Sequence, residues 1–351
     1  MLILRKLICL LLASLLPLPG NAAVPAELLP EIHALSAAVM SEDGKLLYER
    51  EADRMLPIAS TTKLMTALIV IESCALDETV DILPEYCGTE GSSLYLKPGE
   101  RYTVRELLLG LLLASGNDAA VALACHCAGD IESFSERMNR RAADLGMRNS
   151  RFLNPHGLNE AGHCSTSRDL AILMHAAMKN DCFAGFISQE KAEVGGQMIY
   201  NHNKLLQRCP DCIGGKTGYT KAAGRCLVSC CERDGFRLVC VTLNDPDDWN
   251  DHGKLYDWAY DHYTMHVIDR DSTRFEIPLL GGREAKAVVV PASEQRIILP
   301  ADSELTIQTT LPFYAFAPVS GGAEAGTLRL LDDGQLLCEI SLIYLENYPV
   351  E

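Results

Sequence analysis

The sequence predicts an α+β fold: a five-stranded antiparallel sheet with helices, followed by a small all-β unit. Three observations lead there. Strand-like runs flank Asp43-Gly44, a favoured hairpin turn. Three more such runs, 213–220, 225–232 and 236–243, come after a long helical stretch, and with the N-terminal hairpin they add up to five strands. From about Val267 onward only short alternating runs separated by Gly, Pro and Asp remain.

The first hairpin joins "ALSAAVM" to "KLLYERE". Within "PIASTTKLMTALIV" (57–70), the segment from Ser60 to about Ser73 reads as a helix that is apolar nearly all round, which places it inside a domain. Residues 103–114 form a second apolar helix that stops at Ser115-Gly116-Asn117, and a further helix starts near Asp118. Its richest run, "LLLGLLLA" at 107–114, is too short to span a bilayer and reads as a buried core helix. In 131–145, Phe134, Met138 and Ala142 recur every four residues and Gly146 supplies a stop. Thr166 to Asp169 resembles a capping signature ahead of "LAILMHAAM". After the three strands, "KLYDWAYDHY" at 254–263 is expected to close the first domain, 24–266, and 267–351 forms the β-rich second one. That second domain has no terminal amphipathic helix to serve as a membrane foot.

With 351 residues, 48% hydrophobic and 22% charged, the chain has a globular composition. Its 31 basic and 47 acidic residues give a net charge of -16 with no basic stripe, which argues against nucleic acid as a partner. Residues 1–23 combine Arg5 and Lys6, an apolar run from Leu7 to Leu18 and small residues at Asn21 to Ala23. This reads as a secretory signal cleaved after Ala22 or Ala23, with an uncleaved anchor as the alternative. The expected location is therefore exported and extracytoplasmic, with no transmembrane span beyond the signal.

Of 14 cysteines, Cys9 falls in that segment, leaving 14 − 1 = 13, an odd number. "CPDC" at 209–212 is the tightest candidate disulfide pair; free thiols, or a clamp that makes activity redox-sensitive, are the other readings. Neither "CHC" at 125–127 nor "GHC" at 162–164 has a partner at finger-like spacing, so no metal and no cofactor is expected.

Ser60 and Lys63, three apart, share one helix face within hydrogen-bonding reach. Alone, Ser60-Thr61-Thr62-Lys63 could be a capping serine with a snorkelling lysine. Ser115-Gly116-Asn117 could be a turn, and Lys216-Thr217-Gly218 an edge strand with a solvated lysine. All three in this order, on a helix start, an interhelix break and a strand, are much harder to obtain by chance. Together with "GSSLYLKPGE" (91–100), "LLLASGNDAAVALA" (111–124) and "NPHGLNEAGHCSTSRDLA" (154–171), they make the chain resemble the penicillin-binding serine D-alanyl-D-alanine carboxypeptidases, S11-type peptidases related to class A β-lactamases.

The resemblance covers most of residues 30–265 and implies a β-lactamase/transpeptidase-like catalytic domain. It also implies as partners a peptidoglycan pentapeptide ending in D-Ala-D-Ala and, as covalent inhibitors, β-lactam antibiotics. Ser60 would form the acyl-enzyme, aided by its own N–H and the helix dipole. Lys63 would act as a neutral base, with its pKa lowered by burial and by Lys216. Ser115 would relay a proton to the leaving amine, and Asn117 would hold the substrate amide or Lys63. Lys216 and Thr217 suit a terminal carboxylate. Gly218 would let the substrate backbone lie close, and the backbone of Tyr219 would supply the second oxyanion donor.

A class A β-lactamase would need a separate glutamate to activate the deacylating water. Pro155 occupies that place in "PHGLN" and Glu160 lies on the wrong side, so penicillin should acylate Ser60 quickly and leave slowly. The alternatives are a D,D-endopeptidase acting on cross-links and a sensor domain that binds penicillin or peptidoglycan without turnover.

Overall fold

The computed structural model describes residues 29–351, so the expected signal segment lies outside the described residues. The N-terminal hairpin pairs β1 (Ser36–Ser41) with β2 (Leu46–Arg50) as the Asp-Gly turn predicts. A short 3₁₀ turn, Ala59–Thr62, leads into α1 (Lys63–Ser73). The expected helix thus begins with a tighter turn, because Ala59 sits at φ 48° and no side chain caps the α-helical start.

A small hairpin of β3 (Thr79–Asp81) and β4 (Arg101–Thr103) precedes α2 (Val104–Leu112), whose start carries a Thr103–Glu106 capping box. Next come α3 (Asn117–Ala128) and α4 (Ile131–Asp144), the latter burying Phe134, Met138 and Ala142 as their spacing predicts. The hydroxyl of Thr166 accepts from Asp169 N–H at the start of α5 (Ser167–Ala177). Before the main strands lie α6 (Asp181–Ile187), the hairpin of β5 (Lys191–Val194) and β6 (Gln197–Tyr200), and α7 (Leu205–Arg208). All are too short to stand out as periodic patterns.

The strands β7 (Cys212–Thr220), β8 (Gly224–Arg233) and β9 (Phe236–Leu243) complete the five-stranded antiparallel sheet in the order β2-β1-β9-β8-β7. Both faces of the sheet are covered. In β1, Ala38 and Met40 join the helical core around α1–α6, whereas Ala37 and Val39 face α8 (Asp248–His262). Helix α8 starts six residues before the predicted 254. Its first turn, with Asp248 and Asp251, lacks the apolar periodicity that marks a helix but suits the positive end of the helix dipole.

The second part is all-β. Strand β10 (Tyr263–Ile268) was not foreseen; it crosses position 266 and pairs with β13 (Gln295–Pro300). The six-stranded sheet uses β11 (Phe275–Leu280), β12 (Lys286–Pro291), β14 (Leu305–Thr310), β15 (Ala315–Phe316), β16 (Glu324–Asp332) and β17 (Gln335–Tyr344) around its own apolar core.

Candidate active site

The segment Ile58–Lys63 carries its own scaffolding. Thr61 Oγ1 donates to Ile58 O at 2.7 Å and Thr62 Oγ1 to Ala59 O at 2.8 Å. This explains the two threonines between Ser60 and Lys63: each satisfies a carbonyl of the tight turn. Thr62 Oγ1 also lies 2.8 Å from His163 Nε2, and His163 Nδ1 accepts from Leu153 N–H at 3.1 Å. With Nδ1 accepting, Nε2 carries the hydrogen and donates to Thr62. Burial pushes this imidazole down to about 4, so it stays neutral. His163, in "GHC", is therefore a brace for the Ser60 turn.

Lys63 is fully buried, and its Nζ has three partners: Ser60 Oγ at 2.9 Å, Asn117 Oδ1 at 2.6 Å and His156 O at 2.7 Å. Burial, and next the charge of Lys216, hold it well below the ordinary lysine range. A neutral amine has two hydrogens and one lone pair. The two carbonyl oxygens can only accept, so they take the hydrogens and leave the lone pair facing the Ser60 hydroxyl. The His156 carbonyl has no side-chain signature and was missed from the sequence. It reaches Lys63 because Gly157, at φ 85°, packs so tightly that a Cβ there would sit 1.9 Å from Ala59 O.

Asn117 is held from two sides, its side-chain amide donating to Glu90 O and its N–H to Ser92 O at 2.7 Å. Beside it, buried Asp118 accepts from Ser93 Oγ and from the N–H groups of Leu94 and Leu96. The 90–96 loop is thereby latched onto the start of α3. Ser115 adopts φ 62° in the break between α2 and α3, as the Ser-Gly-Asn turn suggests.

On the other side, β7 is an edge strand of the sheet. Lys216 is buried, which lowers its pKa to about 7, and its Nζ donates to Thr217 O at 3.2 Å. Gly218 also has a role within the fold. A Cβ there would lie 3.0 Å from Ile58 O and Ser60 N, so the glycine lets β7 approach the Ser60 turn itself.

The result is a cleft of about 520 Å³ lined by Ser60, Ser115, Thr217, Gly218 and exposed Tyr219, with Lys63, Asn117 and Lys216 buried and not part of its lining. Six further lining residues, Ser92, His202, Lys204, Arg225, Asp248 and Trp249, were not foreseen as site residues. His202 is lowered by burial and by the charges of Lys216 and Lys63. Arg225 pairs with Asp248 at 2.5 Å and lies 5.7 Å from the Trp249 ring. Only tertiary contact brings these residues to the β7 edge. The "CPDC" pairing is not formed. All thirteen cysteines among the described residues are free, and Cys209 Sγ faces Cys231 Sγ at 3.8 Å across to β8.

Residues 22–247 match the family model described as D-alanyl-D-alanine carboxypeptidase (Peptidase_S11). The chain is 32% identical over 326 residues to D-alanyl-D-alanine carboxypeptidase DacF of Bacillus subtilis, covering 87% of this chain and 83% of that protein. It is 35% identical over 220 residues to a D-alanyl-D-alanine endopeptidase of Pseudomonas aeruginosa, covering 60% of this chain and 70% of that one. Among solved structures, penicillin binding protein 6B from Escherichia coli superposes with a TM-score of 0.72 at 27% identity, covering 90% of this chain and 96% of that chain. By sequence and by fold, this chain belongs to the Peptidase_S11 family of D-alanyl-D-alanine carboxypeptidases.

Proposed function

We propose that the protein is a serine-type D-Ala-D-Ala carboxypeptidase that removes the terminal D-alanine of peptidoglycan stem peptides. The observation that carries this reading is the environment of Lys63 Nζ, two carbonyl acceptors and the Ser60 hydroxyl, which suits a neutral base beside its nucleophile. Lys63 takes the Ser60 proton as Oγ attacks the carbonyl of the penultimate D-alanine. The N–H groups of Ser60 and Tyr219 receive the oxyanion. Ser115 passes a proton to the leaving D-alanine amine, and water then hydrolyses the ester and restores Ser60. Asn117 keeps Lys63 aimed, while Lys216 and Thr217 attract the substrate carboxylate. Penicillins acylate the same hydroxyl when their lactam amide opens.

The match to the carboxypeptidase relative runs over more of the chain than the match to the endopeptidase, which favours removal of the last residue over cutting cross-links. Such a substrate lies outside the cytoplasm, in keeping with residues 1–23 as an export signal, 24–266 as the catalytic domain and 267–351 as a β-rich companion. No helix among the described residues is long and apolar enough to cross a membrane. The test is release of free D-alanine from a peptide ending in D-Ala-D-Ala. The wild type should release it and Ser60→Ala should not; binding without release would favour a sensor instead.

A further inference from the structure

Helices α1 and α3 touch at both ends. Near their N-termini Lys63 Nζ meets Asn117 Oδ1, and at the other end the Cys74 thiol, just past α1, comes within 4.8 Å of the His126 ring in the last turn of α3. The second junction gathers donors from three elements: Cys74 follows α1, Glu78 lies in the turn before β3, and His126 is in the last turn of α3. One ligand atom each of Cys74, Glu78 and His126 lies within 4.8 Å of the other two. His126 Nε2 is 2.9 Å from one Glu78 oxygen, while the other oxygen accepts from Ala75 N–H at 3.0 Å and so fixes the carboxylate.

We propose that Cys74, Glu78 and His126 bind a divalent zinc-like ion, with solvent in the fourth position, that ties the C-terminal ends of α1 and α3 together. Thiolate, imidazole and carboxylate form a donor set that suits zinc in tetrahedral geometry. Bonds of about 2.0–2.3 Å place ligand atoms roughly 3.5 Å apart, so small side-chain rotations close the site. One thiolate and one carboxylate balance the charge of a dication. The His126 and Glu78 side chains are 24% and 48% exposed, so an ion can enter without opening the core. Binding sends the Cys74 thiol proton to solvent and involves no electron transfer. Because the ion would sit at the far ends of the helices that begin with Lys63 and Asn117, it acts on their packing and not on the reacting atoms.

The test titrates the purified, reduced, chelator-treated protein with Co²⁺ and with Zn²⁺. The expected result is one Co²⁺ per chain with a thiolate-to-cobalt charge-transfer band. That band should be lost in Cys74→Ser and in His126→Ala, and retained in Cys209→Ser, which probes the other thiol cluster. Zn²⁺ should raise the thermal midpoint and shield Cys74 from iodoacetamide in peptide mapping, a readout that needs no variant. Absence of the band, its survival in Cys74→Ser, or an unshielded Cys74 in the wild type would overturn the proposal. So would finding Cys74 and Cys127 joined as a disulfide in zinc-treated protein handled without reductant.

Discussion

Lys63 Nζ stands 2.9 Å from Ser60 Oγ, and Asn117 Oδ1 and His156 O occupy its other two hydrogen-bonding directions. Such an amine can accept a proton only along the line to Ser60. Lys63→Arg keeps a cation but cannot deprotonate. Acylation of Ser60 by labelled penicillin should fall about 10³-fold, within the usual contribution of a general base. An unchanged rate would remove Lys63 from that role.

The two buried lysines also predict a pH response. Lys63 is held well below the ordinary lysine range by burial and then by Lys216, so acylation should rise with pH with a midpoint far below that range. Lys216→Met removes the neighbouring charge, favours the Lys63 ammonium and should move the midpoint upward.

Stability follows the same logic. Lys216 has a folded pKa of about 7, below its unfolded value. Between the two values the unfolded chain binds the extra proton, so this residue's contribution grows as pH rises and is lost as pH falls to about 7. Urea unfolding of wild type and Lys216→Met at about pH 7 and about pH 9.5 should show the difference shifting in favour of wild type at the higher pH.

Gly157 lies behind the nucleophile turn at φ 85°, where a Cβ would meet Ala59 O at 1.9 Å. Gly157→Ala should lower stability by about 3 kcal/mol, combining left-handed strain with a backbone clash. It should also slow penicillin labelling, because Ala59 adjoins Ser60. Normal labelling with lost stability would separate the two effects.

The one carboxylate lining the cleft among the described residues is Asp248, and it is engaged by Arg225. Glu160 is turned to Asn154 Nδ2 at 3.0 Å. With no free carboxylate to activate water, a chromogenic cephalosporin should give a stoichiometric burst followed by a nearly flat trace. Sustained turnover would place the protein with the β-lactamases in chemistry.

Much of this molecule could be read from short-range pattern. The alternation in β1, the four-residue spacing of Phe134, Met138 and Ala142, and the Thr166 cap are local signals that burial rewards directly. The three-residue interval between Ser60 and Lys63 likewise survives in the fold, because one tight turn followed by a helix keeps those positions on one face.

What the residue order alone determined, then, is the longer elements and the candidate reacting groups, since both depend on spacings of a few residues. Tertiary packing decided the rest: the His156 carbonyl on Lys63, the brace from His163, Arg225 at the cleft, and Cys74 near His126. A backbone carbonyl leaves no mark in the amino-acid code. Contacts between residues tens of positions apart exist only once the chain has buried its apolar faces and fixed the helices and the sheet against one another.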